Sequence, residues 1–253
     1  MHVRSFASTH LGRRENNEDA YAAAASLGLF VIADGMGGYA GGEVASALVR
    51  DSMVDFFQRI GPDDPLSFAP GRRLRFSEAE KLMAMAIRMA NREVIYRREG
   101  ELARMGSTVA AILIRPPHAV VAHVGDSRVY RWRAGHLEVL TTDHCMEVER
   151  LQAVAQGRST QGMWHYPPNM LTRAVGVPGM CEPDLRLLEV QPGDRYLLCT
   201  DGLTDMLDER GINAMLNTLA PHAAVEQMVL SAYRRGGEDN ITALLVNVDT
   251  QPA

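Results

Sequence analysis

The chain has 253 residues and a formal net charge of −5 at pH 7, which leaves no basic footprint for nucleic acid or an anionic membrane. Hydrophobic residues at 46% and charged residues at 23% are globular values, enough for one large domain or two small ones with a substantial core. Cys145, Cys181 and Cys199 form no CxxC pair, the N-terminus lacks a long apolar run, and no stretch approaches the ~20 apolar residues of a membrane span, so a soluble cytoplasmic protein is expected.

Residues 2–9 read as a first strand and residues 20–25 as a second. Between them lies the polar loop Gly12-Arg13-Arg14-Glu15-Asn16-Asn17-Glu18-Asp19, with arginines and two adjacent acids. The apolar run Leu29, Phe30, Val31, Ile32, Ala33 predicts a buried strand ending at Asp34-Gly35. Five glycines fall within eight positions (Gly35, Gly37, Gly38, Gly41, Gly42), and a helix begins near Glu43. A carboxylate at the mouth of a buried strand, followed by freely bending backbone, suits a cation or a phosphate. Asp-Gly is also a common turn dipeptide, and taken alone this one favours the turn.

Ala45, Leu48, Val49, Met53, Phe56, Phe57 and Ile60 recur at helical spacing. Residues 61–75 read as a loop with three prolines, Pro62, Pro65 and Pro70. A second helix runs from Ser77 to about Arg98, with Ser77 and Glu80 at capping-box spacing. Its expected core residues are Leu82, Met85, Ile87, Met89 and Ile95. Strand texture follows at 108–115, 119–124, 129–132 and 137–140, and the tight turns between predict an antiparallel meander. Residues 146–155 read as a short helix and 156–169 as a long irregular loop, of the kind that tends to be functional in compact domains. Strands at 186–188 and 196–199, two amphipathic helices (Ile212, Met215, Leu216, Leu219; Ala224, Val225, Met228, Val229, Ala232) and a last strand at 241–248 complete one α+β domain.

Three of the strands end in a carboxylate, at Asp34, Asp126 and Asp201, and the last begins just after Asp239-Asn240. Converging ionised carboxylates repel, and burying them unpaired is costly, so convergence makes physical sense around a multivalent cation. The ligand set is all oxygen, with no paired His or Cys, which points to Mg²⁺ or Mn²⁺ rather than zinc. Three unrelated turns explain each position singly, but not their recurrence together with Arg14 and Glu18-Asp19.

In chain order the motifs are Arg14-x-x-Asn17-Glu18-Asp19, Asp34-Gly35-Met36-Gly37-Gly38, Gly106-Ser107-Thr108, Val124-Gly125-Asp126-Ser127-Arg128, Leu171-Thr172-Arg173-Ala174, Thr200-Asp201-Gly202-Leu203 and Glu238-Asp239-Asn240. This series resembles the metal-dependent serine/threonine protein phosphatases of the 2C type, in their compact bacterial form, over nearly the whole chain. The resemblance implies an α-β-β-α sandwich, two packed antiparallel sheets flanked by helices, as a single domain over 1–253 with a flap at about 143–169. It implies that Asp34 bridges two Mn²⁺ or Mg²⁺ ions, with the Gly35 carbonyl on one of them. Asp201 and Asp239 would complete the first, Glu18 or Asp19 would serve the second directly or through water, and Asp126 would support a third, weaker site shared with Asp201. Arg14 would grip the substrate phosphate, to whose oxygens a guanidinium fork is matched.

The implied activity is hydrolysis of phosphoserine and phosphothreonine on proteins by a metal-bridging hydroxide, with no phospho-enzyme, in opposition to a Ser/Thr kinase. One departure concerns the leaving group. The family often places a histidine just after the Asp-Gly or three residues further on, where this chain has Met36 and Tyr39. Methionine has no proton to give, and a phenol of pKa ~10 is a poor acid at pH 7. Metal-bound water is therefore the expected donor, ahead of His165 in the flap.

Three other readings compete. Gly35-x-Gly37-x-x-Ala40 fits a dinucleotide fingerprint, but Asp34 abuts the pyrophosphate position and a Pro-rich loop follows the helix in place of a second strand. His144-Cys145 with Arg150 suggests a cysteine phosphatase, but C-x4-R is one residue short of the usual loop, and Glu147 and Glu149 inside it repel phosphate. A metal-free phosphoprotein-binding relic is the third, against which stands the presence of every expected acidic position.

Overall fold

Strands that are apolar at every position need cover on both faces, and here two sheets and two helical layers provide it. The computed structural model describes residues 1–37, 41–60 and 76–249. Tyr39, the proline-rich loop and the Ser77 side chain, with its expected capping box, lie outside the described residues. The chain runs through β1 (His2–His10), β2 (Asp19–Ala24), β3 (Leu29–Met36), α1 (Gly42–Arg59), α2 (Phe76–Tyr96), β4 (Gly106–Ser107), β5 (Val109–Arg115), β6 (His118–Val124), β7 (Arg128–Arg133) and β8 (His136–Val139). It continues through α3 (Met146–Ala155), β9 (Asp184–Glu189), β10 (Arg195–Cys199), α4 (Asp201–Thr204), α5 (Glu209–Thr218), α6 (Pro221–Arg234) and β11 (Ile241–Asp249).

One sheet has the order β1-β11-β10-β7-β8 and the other β2-β3-β5-β6-β9, with β4 paired to β3. All the ladders are antiparallel. The period-2 alternation of β3 shows how the layers are joined. Leu29, Val31 and Ala33 pack under α1 and α2 with Met53, Phe57, Met83 and Ile87. Phe30 and Ile32 point the other way, into a core between the sheets with Ile112, Val121, Val129, Tyr196, Leu198, Leu244 and Val246. A third cluster joins Tyr130, Leu197 and Leu245 to Ile212, Leu216, Val225 and Met228 of α5 and α6. Each such side chain stabilises the fold by roughly 1.5–3 kcal/mol when fully buried. The result is the α-β-β-α sandwich that the motif series implies.

Three local expectations need correction. The strands from 108 to 140 are not one meander. β5 and β6 belong to one sheet and β7 and β8 to the other, so the chain crosses between sheets at Gly125-Asp126-Ser127. On α2, Met85 and Met89 are each 46% exposed, and Ile95 is half-buried; the buried face is Leu82, Met83, Ala86, Ile87, Ala90 and Val94. Residues 82–87 are apolar without a break, which carries no helical phase, and the small alanines take the side packed on the core. Lastly, β3 does not stop at Asp34. Gly35 and Met36 pair with Ser107 and Gly106 of β4.

Candidate active site

Asp34 lies two and four residues beyond Ile32 and Phe30, so it projects from the inter-sheet face of β3 just where the apolar core ends. Asp19 is its register partner on β2. From the opposite sheet, Asp201 follows β10 at the start of α4, and Asp239 precedes β11. Asp126 sits in the crossing between the sheets. Carboxylates from both sheets thus meet at one end of the sandwich, around a cavity of about 320 Å³. Arg14, Glu18, Asp34, Gly35, Asp126, Asp201 and Asp239 all line it, with Met36, Gly37, Thr108, Asn169 and Leu171 completing the wall. Asp19 is the expected residue that does not line it. One oxygen of Asp19 accepts hydrogen bonds from Thr200 Oγ1 (3.0 Å) and Thr242 Oγ1 (2.6 Å), behind Asp34.

The backbone around these acids is tightly specified. Asp34 N–H donates to Thr108 Oγ1 (3.0 Å), and its carbonyl accepts from Thr108 N–H (2.8 Å) and Ser107 Oγ (2.9 Å). Thr108 Oγ1 also meets Ser127 Oγ at 2.7 Å, tying β3 to the Asp126 crossing. Asn240 holds the polar loop on to β11: its amide donates to the Leu11 and Asn16 carbonyls (2.8 Å each), and its Oδ1 accepts from Glu18 N–H (2.7 Å). Gly35 is required by close approach, since a Cβ there would stand 2.0 Å from the Gly42 carbonyl oxygen. Arg14 leans on the same strand start, donating to Asp239 Oδ2 (2.7 Å) and the Glu238 carbonyl (3.1 Å). Those bonds employ only part of its donor fork.

Burial and mutual repulsion hold protons on this cluster. Burial pushes the Asp34 carboxyl well above its ordinary range, and Asp19, Asp201 and Asp126 add to the shift. The proximity of Asp201 favours a proton on Asp34 over one on Asp201. Asp19 is pushed up to about 7 by burial, against the pull of its two threonine donors. Asp126 also reaches about 7, through burial and then the charge of Asp201. Glu18 is raised by burial, then by Glu43. Asp19 Oδ1 and Asp201 Oδ1 are shut off from solvent and accept no hydrogen bond. Unpaired buried carboxylate oxygens are costly, and a cation satisfies them without any donor. Several hard oxygen donors, two of them orphaned, fit a divalent cation of the Mg²⁺ or Mn²⁺ kind.

The supporting residues Thr108, Thr200, Thr242 and Asn240 escaped the sequence reading as functional groups, although three of them sit inside or beside the quoted motifs. Their hydrogen bonds cross between strands far apart in sequence. The cysteine alternative fails on geometry. Cys145 is buried and burial raises its thiol pKa, while Arg150 donates to the Met163 and Tyr166 carbonyls and stacks 4.9 Å over Trp164. His165 is exposed, near the Gly162 carbonyl (3.3 Å), and is not among the residues lining the cavity.

Comparison with known proteins gives a consistent outcome. The family model described as protein phosphatase 2C matches residues 7–233. A serine/threonine phosphatase, stp, of Listeria monocytogenes is 34% identical over 226 residues, covering 87% of this chain and 84% of its own. The crystal structure of the Mycobacterium tuberculosis serine/threonine phosphatase PstP superposes with a TM-score of 0.82 at 33% identity, covering 99% of this chain and 100% of the other. A structure of the PstP catalytic domain in complex with two manganese ions gives a TM-score of 0.78 at 33% identity, over 98% and 99%. With its sandwich of two sheets and its acidic cleft, this chain belongs to the protein phosphatase 2C family and is a serine/threonine protein phosphatase.

Proposed function

We propose that the acidic cleft hydrolyses phosphoserine and phosphothreonine on proteins with two tightly held Mn²⁺ or Mg²⁺ ions and a third, weaker one. The observation that carries this reading is the pair of orphaned, buried oxygens on Asp19 and Asp201 either side of Asp34. Asp34 is the shared ligand, with the Gly35 carbonyl beside it. Asp201 and Asp239 serve one ion, and Glu18 serves the other. Asp19, held at one oxygen by its threonine donors, serves that ion through a water that donates to its orphaned oxygen. Asp126 with Asp201 forms the weaker site. Ions held there supply a water nucleophile activated at neutral pH and offset the charge of the phosphoryl oxygens.

Arg14 orients the substrate. It lines the cavity beside Asp239 with donors to spare, and a bidentate guanidinium–phosphate contact there sets the phosphoryl group for in-line attack. Loading the cleft requires the cluster to release the protons that burial holds on Asp34, Asp19 and Asp126, so metal affinity rises with pH. The substrates are phosphoproteins made by a Ser/Thr kinase, met in the cytoplasm. Residues 143–169 act as a flap on a single domain spanning 1–253. Its base reaches the cleft at Asn169, and its loop is organised internally by Arg150.

Turnover of p-nitrophenyl phosphate and of a phosphothreonine peptide, measured with Mn²⁺ and with EDTA, tests the reading. Both activities should need the metal, and Asp201→Asn should nearly abolish both while the protein stays folded. EDTA-insensitive turnover, or near-normal turnover by Asp201→Asn at saturating Mn²⁺, would overturn it.

A further inference from the structure

Just outside the cleft, His123, His144 and Asp184 bring three ligand-type atoms within 4.8 Å of one another. The spacing suits zinc, but the ring geometry does not. The two imidazoles stack with centroids 4.5 Å apart and planes 18° from parallel. An imidazole lone pair lies in its ring plane, so two stacked rings do not aim at one point. The nitrogens also have other partners. His144 Nδ1 accepts from Gly125 N–H (3.1 Å), which puts the proton of this buried ring on Nε2, where it donates to Asp184 Oδ2 (3.2 Å). His123 Nε2 donates to the Thr142 carbonyl (2.8 Å), and Arg173 donates to the other Asp184 oxygen (2.7 Å).

We infer that His144 is a positioning residue for Asp126: oriented by Asp184, it clasps Gly125 and so sets the direction of the next side chain. His144 holds Gly125 at both polar atoms, since its own main-chain N–H also donates to the Gly125 carbonyl (3.0 Å). The same residue accepts from Thr172 N–H (2.9 Å), and Cys145 bridges to Leu171, so His144 joins the Asp126 wall of the cavity to the Asn169–Leu171 wall. Among the described residues, none of the hydrogen bonds that His144 makes runs to Asp34, Asp201 or Asp239. A loosened His144 therefore weakens the Asp126 site selectively. The inference rests on the proposed role of Asp126 as a ligand of the weaker ion.

Calorimetric Mn²⁺ titration of the full chain, paired with the Mn²⁺ dependence of phosphopeptide turnover, tests it in four variants. Asp126→Ala should lose the weak site and keep the tight ones. His144→Leu keeps the bulk but loses the acceptor, and should weaken the weak site about tenfold, within the range seen when a group that orients a ligand is removed. His144→Asn places an amide oxygen where Nδ1 lies and should restore most of that loss. Asp184→Ala, a half-exposed site that leaves the core intact, should weaken it by a smaller factor in the same direction. The Mn²⁺ concentration for half-maximal turnover should shift by the same factors, with KM for phosphopeptide unchanged.

An unaltered weak site in His144→Leu and Asp184→Ala, or equal losses in His144→Asn and His144→Leu, would overturn the inference while leaving Asp126 as a ligand. If Asp126→Ala retains every site, the Asp126 reading itself fails and this inference falls with it. Stoichiometric Zn²⁺ binding that is lost in His144→Asn would overturn it in favour of a zinc site.

Discussion

A methyl group at position 42 would land on the Glu18 carboxylate. A Cβ built on Gly42 stands 2.4 Å from Glu18 Cδ and 2.5 and 2.7 Å from its two oxygens. Ordinary contact lies near ~3.5 Å, so the carboxylate must retreat by ~1 Å. It can do so cheaply, because it is the far end of a flexible side chain. Gly42 opens α1 and is not among the glycines at positive φ, so alanine fits its backbone. In a helix interior alanine is better than glycine by up to ~1 kcal/mol, with less to gain at a terminus. Gly42→Ala should therefore leave the metal-free fold unharmed or slightly stabilised and displace Glu18 alone. Loss of one well-placed ligand should weaken Mn²⁺ at that site by roughly 10–100-fold, or about 1.4–2.7 kcal/mol. Calorimetric Mn²⁺ titration and thermal unfolding in EDTA measure the two effects separately. Titration like the wild type would refute the assignment of Glu18. Gly35→Ala gives a contrast, since its Cβ meets the Gly42 backbone carbonyl at 2.0 Å, which cannot retreat. Overpacking of this kind costs ~1–3 kcal/mol or more, so Gly35→Ala should lose stability in EDTA as well.

Arg14→Ala removes a charge-assisted phosphate contact worth about 1.5–3 kcal/mol and should raise KM for phosphopeptides by roughly ten- to a hundredfold. Mn²⁺ affinity should move far less, and unchanged KM would remove Arg14 from the site. The raised carboxyl pKa values give the metal-free protein a pH slope of definite sign. Asp19 and Asp126, at about 7, and Asp34 bind protons more tightly folded than unfolded, so their contribution is full at low pH and fades as pH climbs through 7. Tm in EDTA should accordingly fall between pH 5.5 and 8 and Mn²⁺ should flatten that slope; a Tm that rises over this range would contradict the electrostatics. For the leaving group, Tyr39→Phe and His165→Ala should change phosphopeptide kcat only a few-fold. A hundredfold loss in either, with p-nitrophenyl phosphate turnover kept, would identify that residue as the proton donor.

Much of the site was legible because its signals are local. An apolar run ending in Asp-Gly, Gly-Asp or Thr-Asp marks a carboxylate at the end of a buried strand, whatever the rest of the chain does. Asp34, Asp126 and Asp201 were found in this way, Asp239 by its place just before the last apolar strand, and α1 by the spacing of its apolar residues. Other features had no local signal. The unbroken apolar stretch at 82–87 fits any helical phase, so only packing could bury Met83 and leave Met85 in solvent. The turn at Gly125-Asp126-Ser127 reads the same whether the next strand pairs with the last or crosses to the other sheet. Glu18 and Asp19 are equal as neighbours in sequence. In the fold Glu18 lines the cavity, whereas Asp19, paired with Asp34 across β2 and β3, is in reach of Thr200 and Thr242 from the opposite sheet. His144, 19 residues from Gly125, finds its role in the hydrogen bonds that it accepts from and gives to that residue. Residue type and order were enough to name the chemistry of the cleft, because turns and strand ends are written within a few residues. Which acid faces the cavity, and what steadies it, depends on contacts between strands remote in sequence, and those exist only once the two sheets have packed.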